Sequence, residues 1–443
     1  MLTVDALRYE VDDGRVDTVL LGFCDMQGRY QGKRLAARYF LDDVLDGVAE
    51  GCSYLLAVDV EMNTVGGYAM SSWERGYGDF VLRPDLSTLH RVPWQDGTVG
   101  MLCDLEWPDG APVVASPRQI LRDQLARLAE RGWQAYVGTE LEFMVFRDTY
   151  EDAWNRGYRD LTPANQYNVD YSLLGTARVE PLLRAIRNGM AGAGLTVESA
   201  KGECNLGQHE IAFKYDDALT TCDHHTLYKN GAKEIAAQAG TALTFMSKFD
   251  AREGNSCHIH LSLRAGDAPV FADDEGVFRC FLAGLLAHLR ELTLLFAPNV
   301  NSYKRYAEGS FAPTAVAWGR DNRTCALRVV GHGAGLRVEN RVPGGDVNPY
   351  LACAAMLAAG LAGIEGAYTL EPELVGNAYT ASEAPRVPGT LRDARALFAS
   401  SALARATFGD EVVAHYLNAA DVELAAFDAT VTDWERFRGF ERL

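Results

Sequence analysis

The stretch Gly138-Thr139-Glu140-Leu141-Glu142-Phe143 decides the fold, because alternating acidic and apolar residues are typical of a half-buried β-strand. Successive side chains of a strand point to opposite faces, so Glu140 and Glu142 share one face and the apolar residues share the other. Along such a strand the two carboxylates lie roughly 7 Å apart. Like charges this close are unfavourable unless cations neutralise them or one takes a proton. By itself the stretch predicts either a solvated acidic face or a cation site.

Three other segments alternate in the same way. In Cys257–Leu263 the polar face carries His258, His260 and Ser262. In Arg337–Arg341 it carries Arg337, Glu339 and Arg341. In Gly202–Ile211, Glu203 and Glu210 lie on either side of a glycine-containing loop. A lone histidine is more often structural than a ligand, and an Arg-Glu-Arg alternation is more often a surface ion-pair ladder. Four such segments in one chain favour a sheet with one packed face and an active-site floor on the other. Carboxylates with one or two imidazoles suit Mg²⁺ or Mn²⁺.

Size and charge narrow the class of protein. A chain of 443 residues exceeds one ordinary core, and the turn-rich Trp107–Pro112 suggests two domains, 1–110 and 111–443. The formal net charge of −18 argues against nucleic-acid binding, and the apolar run Ala352–Ile364 is too short to span a membrane. Nine scattered cysteines without a CxxC pair fit reduced thiols. We therefore expect a cytoplasmic protein with neither nucleic-acid nor membrane partners.

Local patterns predict the elements around these segments. The first hundred residues predict a small mixed sheet with strands at Val16–Cys24, Arg29–Leu35, Tyr54–Val60, Phe80–Leu82 and Val99–Asp104, and one main helix near Ala36–Ala49. Ser116 and Gln119 predict a capping box for the helix that Gly132 ends. Long helices are expected at Val179–Ala193, Asp223–Thr241, Glu275–Phe296, Asn348–Ala367 and Asp410–Phe437.

Taken together, the motifs resemble the glutamine synthetase family over essentially the whole chain. The matching segments, in the family's order, are Phe23–Gly28, Gly138–Phe143, Gly207–Glu210, Cys257–Leu263, Asn301–Arg305, Asp321–Arg323 and Arg337–Pro349. The resemblance implies an α+β fold with a small N-terminal β-grasp domain and a larger catalytic domain, whose curved antiparallel sheet is flanked by helices. It also implies a homo-oligomer, a double hexameric ring with active sites shared between subunits.

The resemblance implies a ligase that uses ATP to convert L-glutamate to γ-glutamyl phosphate, which an amine then attacks. Such chemistry brings a carboxylate toward a polyanion, so two or three Mg²⁺ or Mn²⁺ ions and guanidinium groups must neutralise the phosphates. The resemblance also implies roles for single residues. One ion would be held by Glu142, Glu203 and Glu210, and the other by Glu140, His258 and Glu339. ATP would contact His260, Ser262, Arg328 and Arg337; a clamp on glutamate and phosphate would consist of Arg305, Arg323 and Arg341; and a neighbouring subunit would contribute Asp25 and Asp79.

The chain departs from the family where the amine binds. Ammonia-using members carry a glutamate six residues after the arginine matched by Arg305, and this chain has Phe311 there. A phenyl ring cannot take a proton, but it can line an apolar wall or face a cationic amine, worth roughly 0.5–2 kcal/mol. Alternatively Phe311 only packs the closed loop, and Glu308 or Asp25 is the base.

Two further positions belong to the expected amine pocket. Glu253, beside Gly254, replaces the family's usual asparagine and adds a charge that suits a cationic amine. Tyr167 is matched to an amine-site tyrosine. Tyr379 lies where some bacterial members carry a modified tyrosine, but its flanking residues match poorly, so no regulation is assigned.

The sequence thus favours a ligase that joins the γ-carboxylate of glutamate to a small organic amine. Ethanolamine-like and polyamine-like amines both fit. The alternatives are a glutamine synthetase proper that uses ammonia and a non-catalytic family member with a scaffold or regulatory role. A guanidino kinase or a glutamate–cysteine ligase on a related fold is disfavoured, since these lack the N-terminal Asp25 element.

Overall fold

Two β-sheets and the helices around them make up the computed structural model, which describes residues 2–443. The strands of one sheet lie between residues 18 and 106, and those of the other between residues 134 and 340. The prediction of an α+β fold with a smaller N-terminal sheet is confirmed. No helix among residues 2–443 combines the length and the apolar composition needed to cross a bilayer.

The N-terminal sheet has six strands. The elements of this part are α1 Val4–Asp12, β1 Thr18–Cys24, β2 Tyr30–Ala36, α2 Ala37–Tyr39, β3 Ala49–Cys52, β4 Asp79–Pro84, β5 His90–Arg91 and β6 Thr98–Glu106. The strand order is β2-β1-β6-β4-β3, with β5 also paired to β6. Strands β1 and β6 run parallel, and the other described pairs are antiparallel. The sheet is therefore mixed, as its sequence predicts.

Two predictions for this part are wrong. The expected helix over 36–49 ends early, because α2 continues only into a π-helical turn at Phe40–Val44. The strand expected at Tyr54–Val60 is a 3₁₀ turn at Ser53–Leu56, and the neighbouring strand is β3. Leu56 is fully buried, so the apolar run fills the core from a turn rather than from a strand.

The second sheet has ten strands and holds the polar segments. They are β7 Gln134–Phe146, β8 Val197–Gly202, β9 Gln208–Phe213, β10 Asp216–Asp217, β11 Ala242–Thr244, β12 Cys257–Ala265, β13 Ala268–Pro269, β14 Trp318–Arg320, β15 Leu327–Val330 and β16 Arg337–Asn340. The main order is β14-β15-β16-β12-β7-β9-β8. All described pairs are antiparallel except β14 with β15. The long strand β7, which carries the opening stretch, pairs with four other strands.

Eleven α-helices follow the N-terminal sheet within the described part of the chain. They are α3 Pro117–Ala129, α4 Tyr150–Asn155, α5 Leu173–Thr176, α6 Glu180–Gly192, α7 Ala218–Gln238, α8 Val270–Asp273, α9 Glu275–Phe296, α10 Pro349–Glu365, α11 Leu391–Ala399, α12 Ala402–Ala429 and α13 Asp433–Gly439. Helices α3 and α5–α8 contact strands of the second sheet, and α9–α12 pack on other helices. Glycines let α9 and α10 touch: a Cβ on Gly284 would lie 2.1 Å from the Ala359 carbonyl oxygen. The Ala/Gly-rich α10 is therefore a core helix.

The capping box predicted for α3 does not form. Ser116 is the N-cap residue, but its side chain makes no capping hydrogen bond. Gln119 instead donates from Nε2 to Asp123 Oδ1 one turn later, at 2.7 Å. The helix still begins at Pro117, where the fixed φ of proline suits the first helical position.

Candidate active site

Strand register sets the polar residues in rows across one face of the second sheet. Glu140 on β7 stands opposite His258 on β12, and His260 stands opposite Glu339 on β16. On the other side of β7, Glu142 stands opposite Glu210 on β9. The intervening residues Leu141, Phe143, Ile259 and Leu261 are all buried in the core. The prediction of one packed and one polar face therefore holds.

One group of three carboxylates lies where β7, β9 and the end of β8 meet. Glu142, Glu203 and Glu210 each offer an oxygen within 4.8 Å of the others. Glu142 Oε2 accepts hydrogen bonds from Gln208 Nε2 at 3.0 Å and from the backbone N–H of Ser256 at 2.7 Å. Burial raises the pKa of Glu210 to about 8, although nearby Lys201 acts to lower it. Three converging oxygen donors fit a hard divalent cation.

The second group combines carboxylates with two imidazoles. His258 Nδ1 lies 3.4 Å from a Glu140 oxygen and 3.5 Å from a Glu339 oxygen, and His258 Nε2 is buried without a partner. Burial and the Arg341 charge lower the pKa of His258, so the ring is neutral at pH 7 and can ligate a metal. His260 Nε2 lies 3.0 Å from the other Glu140 oxygen.

The second histidine is therefore closer to the carboxylates than the sequence suggested. The sequence assigned His258 to an ion and His260 to the nucleotide, whereas both rings contact Glu140. Ligand atoms of Glu140, His260 and Glu339 all lie within 4.8 Å of one another. Both groups of residues fit divalent ions, and His260 contacts the second group through Glu140.

Guanidinium groups enclose Glu339, which is fully buried. Arg328 NH1 donates to Glu339 Oε2 at 3.0 Å, and Arg341 NH1 donates to Oε1 at 2.5 Å. Burial alone would raise the pKa of Glu339, but the positive charge of His258 in its protonated form and that of Arg341 outweigh it, and the pKa is lowered. Glu339 is therefore ionised at neutral pH. Arg323 is exposed in the turn beyond β14.

Arg305 lies buried among backbone carbonyls. Its guanidinium is 2 % exposed; NH2 donates to the carbonyl oxygens of Arg341 at 3.1 Å, of Pro343 at 3.0 Å and of Val342. NH1 donates to Ser256 Oγ at 3.2 Å. In this structure Arg305 therefore holds the backbone that follows β16, with its Nε unpartnered, and the clamp on glutamate stays a prediction.

Asp25 is enclosed by its own turn in this protomer. Its side chain is 0 % exposed. It accepts hydrogen bonds from the backbone N–H of Gln27 at 3.0 Å and from Arg29 Nε at 2.7 Å. Its roles toward a neighbouring subunit and as the base stay predictions. Asp79 at the start of β4 is exposed.

The loop that follows Arg305 holds Phe311 in an unusual conformation. Phe311 has φ +58°, a left-handed value that is uncommon for a bulky residue, and its side chain is 55 % exposed. Arg341 NH2 donates to the Phe311 carbonyl at 3.4 Å. The ring is therefore half exposed in this protomer, and the alternative that Phe311 only packs the closed loop stays open. Glu308, in the same loop, is exposed.

The segment around Glu253 contains a carboxylate oxygen without a hydrogen-bond partner, although Arg252 Nε lies 3.9 Å from it. Glu253 Oε2 is buried without a hydrogen-bond partner, while the Glu253 carbonyl accepts from Asn205 Nδ2 at 2.6 Å. Beside it, Gly254 is packed tightly, since a Cβ would lie 2.2 Å from the Ser247 carbonyl oxygen. Tyr167 is exposed.

A cavity of about 280 Å³ opens beside the second group. Its walls include the predicted residues Glu140, His260, Ser262 and Arg337, together with Tyr136, Phe213, Tyr215 and Arg264, which the sequence analysis missed. Arg337 Nε donates to His260 Nδ1 at 3.2 Å. The alternation of the sequence could have identified two of them, because Tyr136 and Arg264 continue the polar faces of β7 and β12.

Comparison with known proteins identifies the class. The profile of the glutamine synthetase catalytic domain matches residues 114–438. The chain belongs to the glutamine synthetase family, and it is a ligase of that family, as the sequence predicted. Ligases of this family use ATP and divalent metal ions, which the two groups of residues fit.

Individual relatives are similar over nearly the full length. The chain is 67% identical to the γ-glutamylethanolamide synthetase GlnA4 of Streptomyces coelicolor, over 100% of this chain and 96% of the relative. It is 38% identical to a glutamate–isopropylamine ligase of Pseudomonas sp., over 98% and 96%. The solved GmaS/ADP complex superposes with a TM-score of 0.86 at 28% identity, covering 98% of this chain and 99% of that one. The similarity confirms the predicted γ-glutamylamide ligase branch and its fold.

Proposed function

We propose that this chain phosphorylates the γ-carboxylate of L-glutamate with ATP and condenses it with a small organic amine, releasing a γ-glutamylamide, ADP and phosphate. The observation that carries the proposal is Phe311, an outward-facing ring where ammonia-using members carry a carboxylate. Similarity to a γ-glutamylethanolamide synthetase makes ethanolamine the first amine to try, ahead of polyamines.

The ions are proposed to bind at the two groups of residues. Glu142, Glu203 and Glu210 would hold one ion, and Glu140, His258 and Glu339 would hold another. We assign no residues to a third ion. When bound, such ions neutralise the phosphate oxygens. The unpartnered Nε2 of His258 supports this assignment, since a buried imidazole nitrogen without a donor or acceptor is uncommon.

The nucleotide is proposed to occupy the cavity beside His260, Ser262 and Arg337. The Arg264 guanidinium lies 5.2 Å from the Tyr136 ring centroid, and Tyr215 meets Tyr136 edge to face at 6.1 Å. Such planar groups can stack on an adenine base. Arg328 and Arg341, which now pair with Glu339, would turn toward the phosphate and glutamate oxygens. The exposed Arg323 would close the site.

The amine is proposed to approach between Phe311 and Glu253. The phenyl face attracts a cationic amine, and the unpaired oxygen of Glu253 accepts a hydrogen bond from its N–H groups. An amine must lose a proton before it attacks, so a carboxylate at this position also serves as the base; Glu308 is the alternative on the same loop. Gly254 and Tyr167 border the same region in this assignment.

Assembly and location complete the proposal. We propose a double hexameric ring with Asp79 near the subunit boundary, and a domain boundary near residue 110, which the separate sheets of residues 18–106 and 134–340 support. Exposed aromatic side chains near the C-terminus, Trp434, Phe437 and Phe440, are available for subunit contacts. The nine free cysteines favour the cytoplasm. Light scattering of the purified protein would give the subunit number.

The proposed reaction is measured by phosphate release with ATP, Mg²⁺ and glutamate against ammonium, ethanolamine, isopropylamine and putrescine. We expect an organic amine to give the highest kcat/KM. Ammonium as the best substrate would identify a glutamine synthetase proper. ATP binding without turnover on any amine would favour the scaffold alternative.

A further inference from the structure

Lys201 occupies an unusual position for a lysine on an edge strand. It lies near the end of β8, the last strand of the sheet, where lysines ordinarily extend into solvent. Its partner across the ladder is Glu210, which in turn stands opposite Glu142. Directly opposite residues share a face, so the ammonium group projects onto the carboxylate side of the sheet. Only 25 % of the Lys201 side chain is exposed.

The Lys201 ammonium lies among the carboxylates that are proposed to bind an ion. Nζ forms an ion pair with Glu203 Oε1 and lies 4.0 Å from Glu210 Oε2. These are the side-chain contacts described for those two carboxylates, whereas Glu142 is held by amide donors. The three acidic groups thus have different partners: Glu142 accepts from a backbone N–H and a side-chain amide, whereas Glu203 and Glu210 face the Lys201 ammonium.

The same ammonium also faces an aromatic ring. In the position in which it pairs with Glu203, Nζ is 4.9 Å from the ring centroid of Tyr171, a distance typical of cation–π contact. The Tyr171 side chain is exposed, and its backbone N–H donates to the carbonyl of Gly202, the residue after Lys201. Glu203 and the Tyr171 ring therefore hold the ammonium beside the three carboxylates at the same time.

We propose that Lys201 is an internal cation that competes with the divalent ion at Glu142, Glu203 and Glu210. The ammonium pairs with Glu203 and lies beside Glu210 when no ion is bound, and it must withdraw from them when one binds. This rests on the ion assignment made under the proposed function. A divalent ion and an ammonium group a few ångströms apart repel each other, so both cannot hold the same carboxylates. Lys201 is a positioning residue that sets how tightly this ion is held.

The consequence is a weaker ion site and a more stable ion-free protein. Replacing Lys201 by methionine keeps most of the stem and removes the charge. The variant K201M should bind Mn²⁺ on the order of tenfold more tightly than the wild type, as expected for loss of about 1.4 kcal/mol of competition. Without ions its melting temperature should fall, because like charges on Glu203 and Glu210 lose their counter-charge.

The experiment is a titration of the full-length, metal-free protein with Mn²⁺ alone, read by calorimetry and by melting temperature. Lys201→Arg, which keeps the charge, should resemble the wild type, and Lys33→Met, on an exposed position of β2, is the control for loss of a lysine charge. Glu142→Gln identifies which binding event belongs to this site.

The outcomes separate this proposal from the one it rests on. Tighter Mn²⁺ binding by K201M, with Lys201→Arg unchanged, supports the competition. Unchanged or weaker binding by K201M, while Glu142→Gln still abolishes the event, overturns the role of Lys201 and leaves the ion site standing. Mn²⁺ binding that Glu142→Gln does not affect overturns both the ion assignment and the competition.

Discussion

The Tyr379 hydroxyl donates a hydrogen bond to the carbonyl oxygen of Ala312 at 3.1 Å. Ala312 directly follows Phe311, whose own carbonyl accepts from Arg341. Two side chains from distant parts of the chain therefore hold consecutive carbonyls of one loop. Because Phe311 adopts a left-handed backbone conformation, which costs about 1–3 kcal/mol, such contacts are needed to keep its ring in place.

Tyr379→Phe should loosen this loop without changing the polar face of the sheet. The variant loses one hydrogen bond, worth about 1 kcal/mol, so we expect the KM for the amine to rise roughly threefold to fivefold while the KM for ATP stays the same. Steady-state kinetics with each substrate varied in turn would measure the difference. Tyr39→Phe, on an exposed tyrosine of the N-terminal part, is the matched control. Equal increases in both KM values would contradict a role confined to the amine side.

Phe311→Glu should shift the amine preference toward ammonia. The substitution places a carboxylate where the ring stands, and this group can attract ammonium and accept its proton. We expect the ratio of kcat/KM for ammonium to that for ethanolamine to rise at least roughly tenfold, equivalent to about 1.4 kcal/mol.

Phe311→Leu separates charge from shape. It keeps an apolar side chain without the aromatic face, and should lower kcat/KM for cationic amines without improving the use of ammonium. If Phe311→Glu left the ratio of kcat/KM for ammonium to that for ethanolamine unchanged, the loop would not select the amine, and Glu253 would be the next candidate.

The polar face could be predicted from sequence because it depends on a local period of two. Alternation alone assigned Glu140, His258 and Glu339 to the polar faces of their strands, and the structure sets Glu140 opposite His258 and Glu339 opposite His260. The period does not give the offset between strands. For this reason the close contact of His260 with Glu140 was not predicted, and neither was the position of Lys201 beside Glu203.

Two other contacts were not foreseen, for different physical reasons. Arg305 binds the backbone carbonyls of residues 341–343, and no sequence pattern records which carbonyls a distant turn presents. Asp25 did carry a local signal, since Arg29 stands four residues later and closes the turn by an ion pair. The family motif includes Asp25 but gives no indication of its ion pair with Arg29.

Gly254→Ala should destabilise the protein more than an ordinary glycine substitution. The new Cβ would lie 2.2 Å from the Ser247 carbonyl oxygen and 3.0 Å from Cγ of Arg305, so the backbone must shift. We expect a loss of about 1–3 kcal/mol in the free energy of unfolding, measured by urea denaturation. Gly66→Ala is the matched control, because a Cβ there meets no atom within 4 Å. Equal stability of the two variants would show that the segment yields easily.

Acidification should destabilise the fold through its buried histidines. Burial lowers the pKa of His90 and of His415 to about 4, and that of His225 to about 3. An unfolded histidine titrates near pH 6.5, so between pH 6.5 and 4 the unfolded chain binds protons that the folded chain does not. The free energy of unfolding should therefore fall in this window as pH falls, by up to about 1.4 kcal/mol per pH unit for each such histidine.

A single substitution isolates one of these protons. His415→Gln should make the pH dependence between 6.5 and 4.5 shallower by roughly 1.4 kcal/mol per pH unit, in urea titrations at fixed protein concentration. His415 stacks on Tyr68 at 4.6 Å, so the variant also loses stability that does not depend on pH, and only the slope is diagnostic. His332→Gln, on an exposed loop, should leave the slope unchanged. A slope for His415→Gln equal to that of the wild type would mean that this ring becomes protonated without unfolding, through local opening between α12 and the N-terminal sheet.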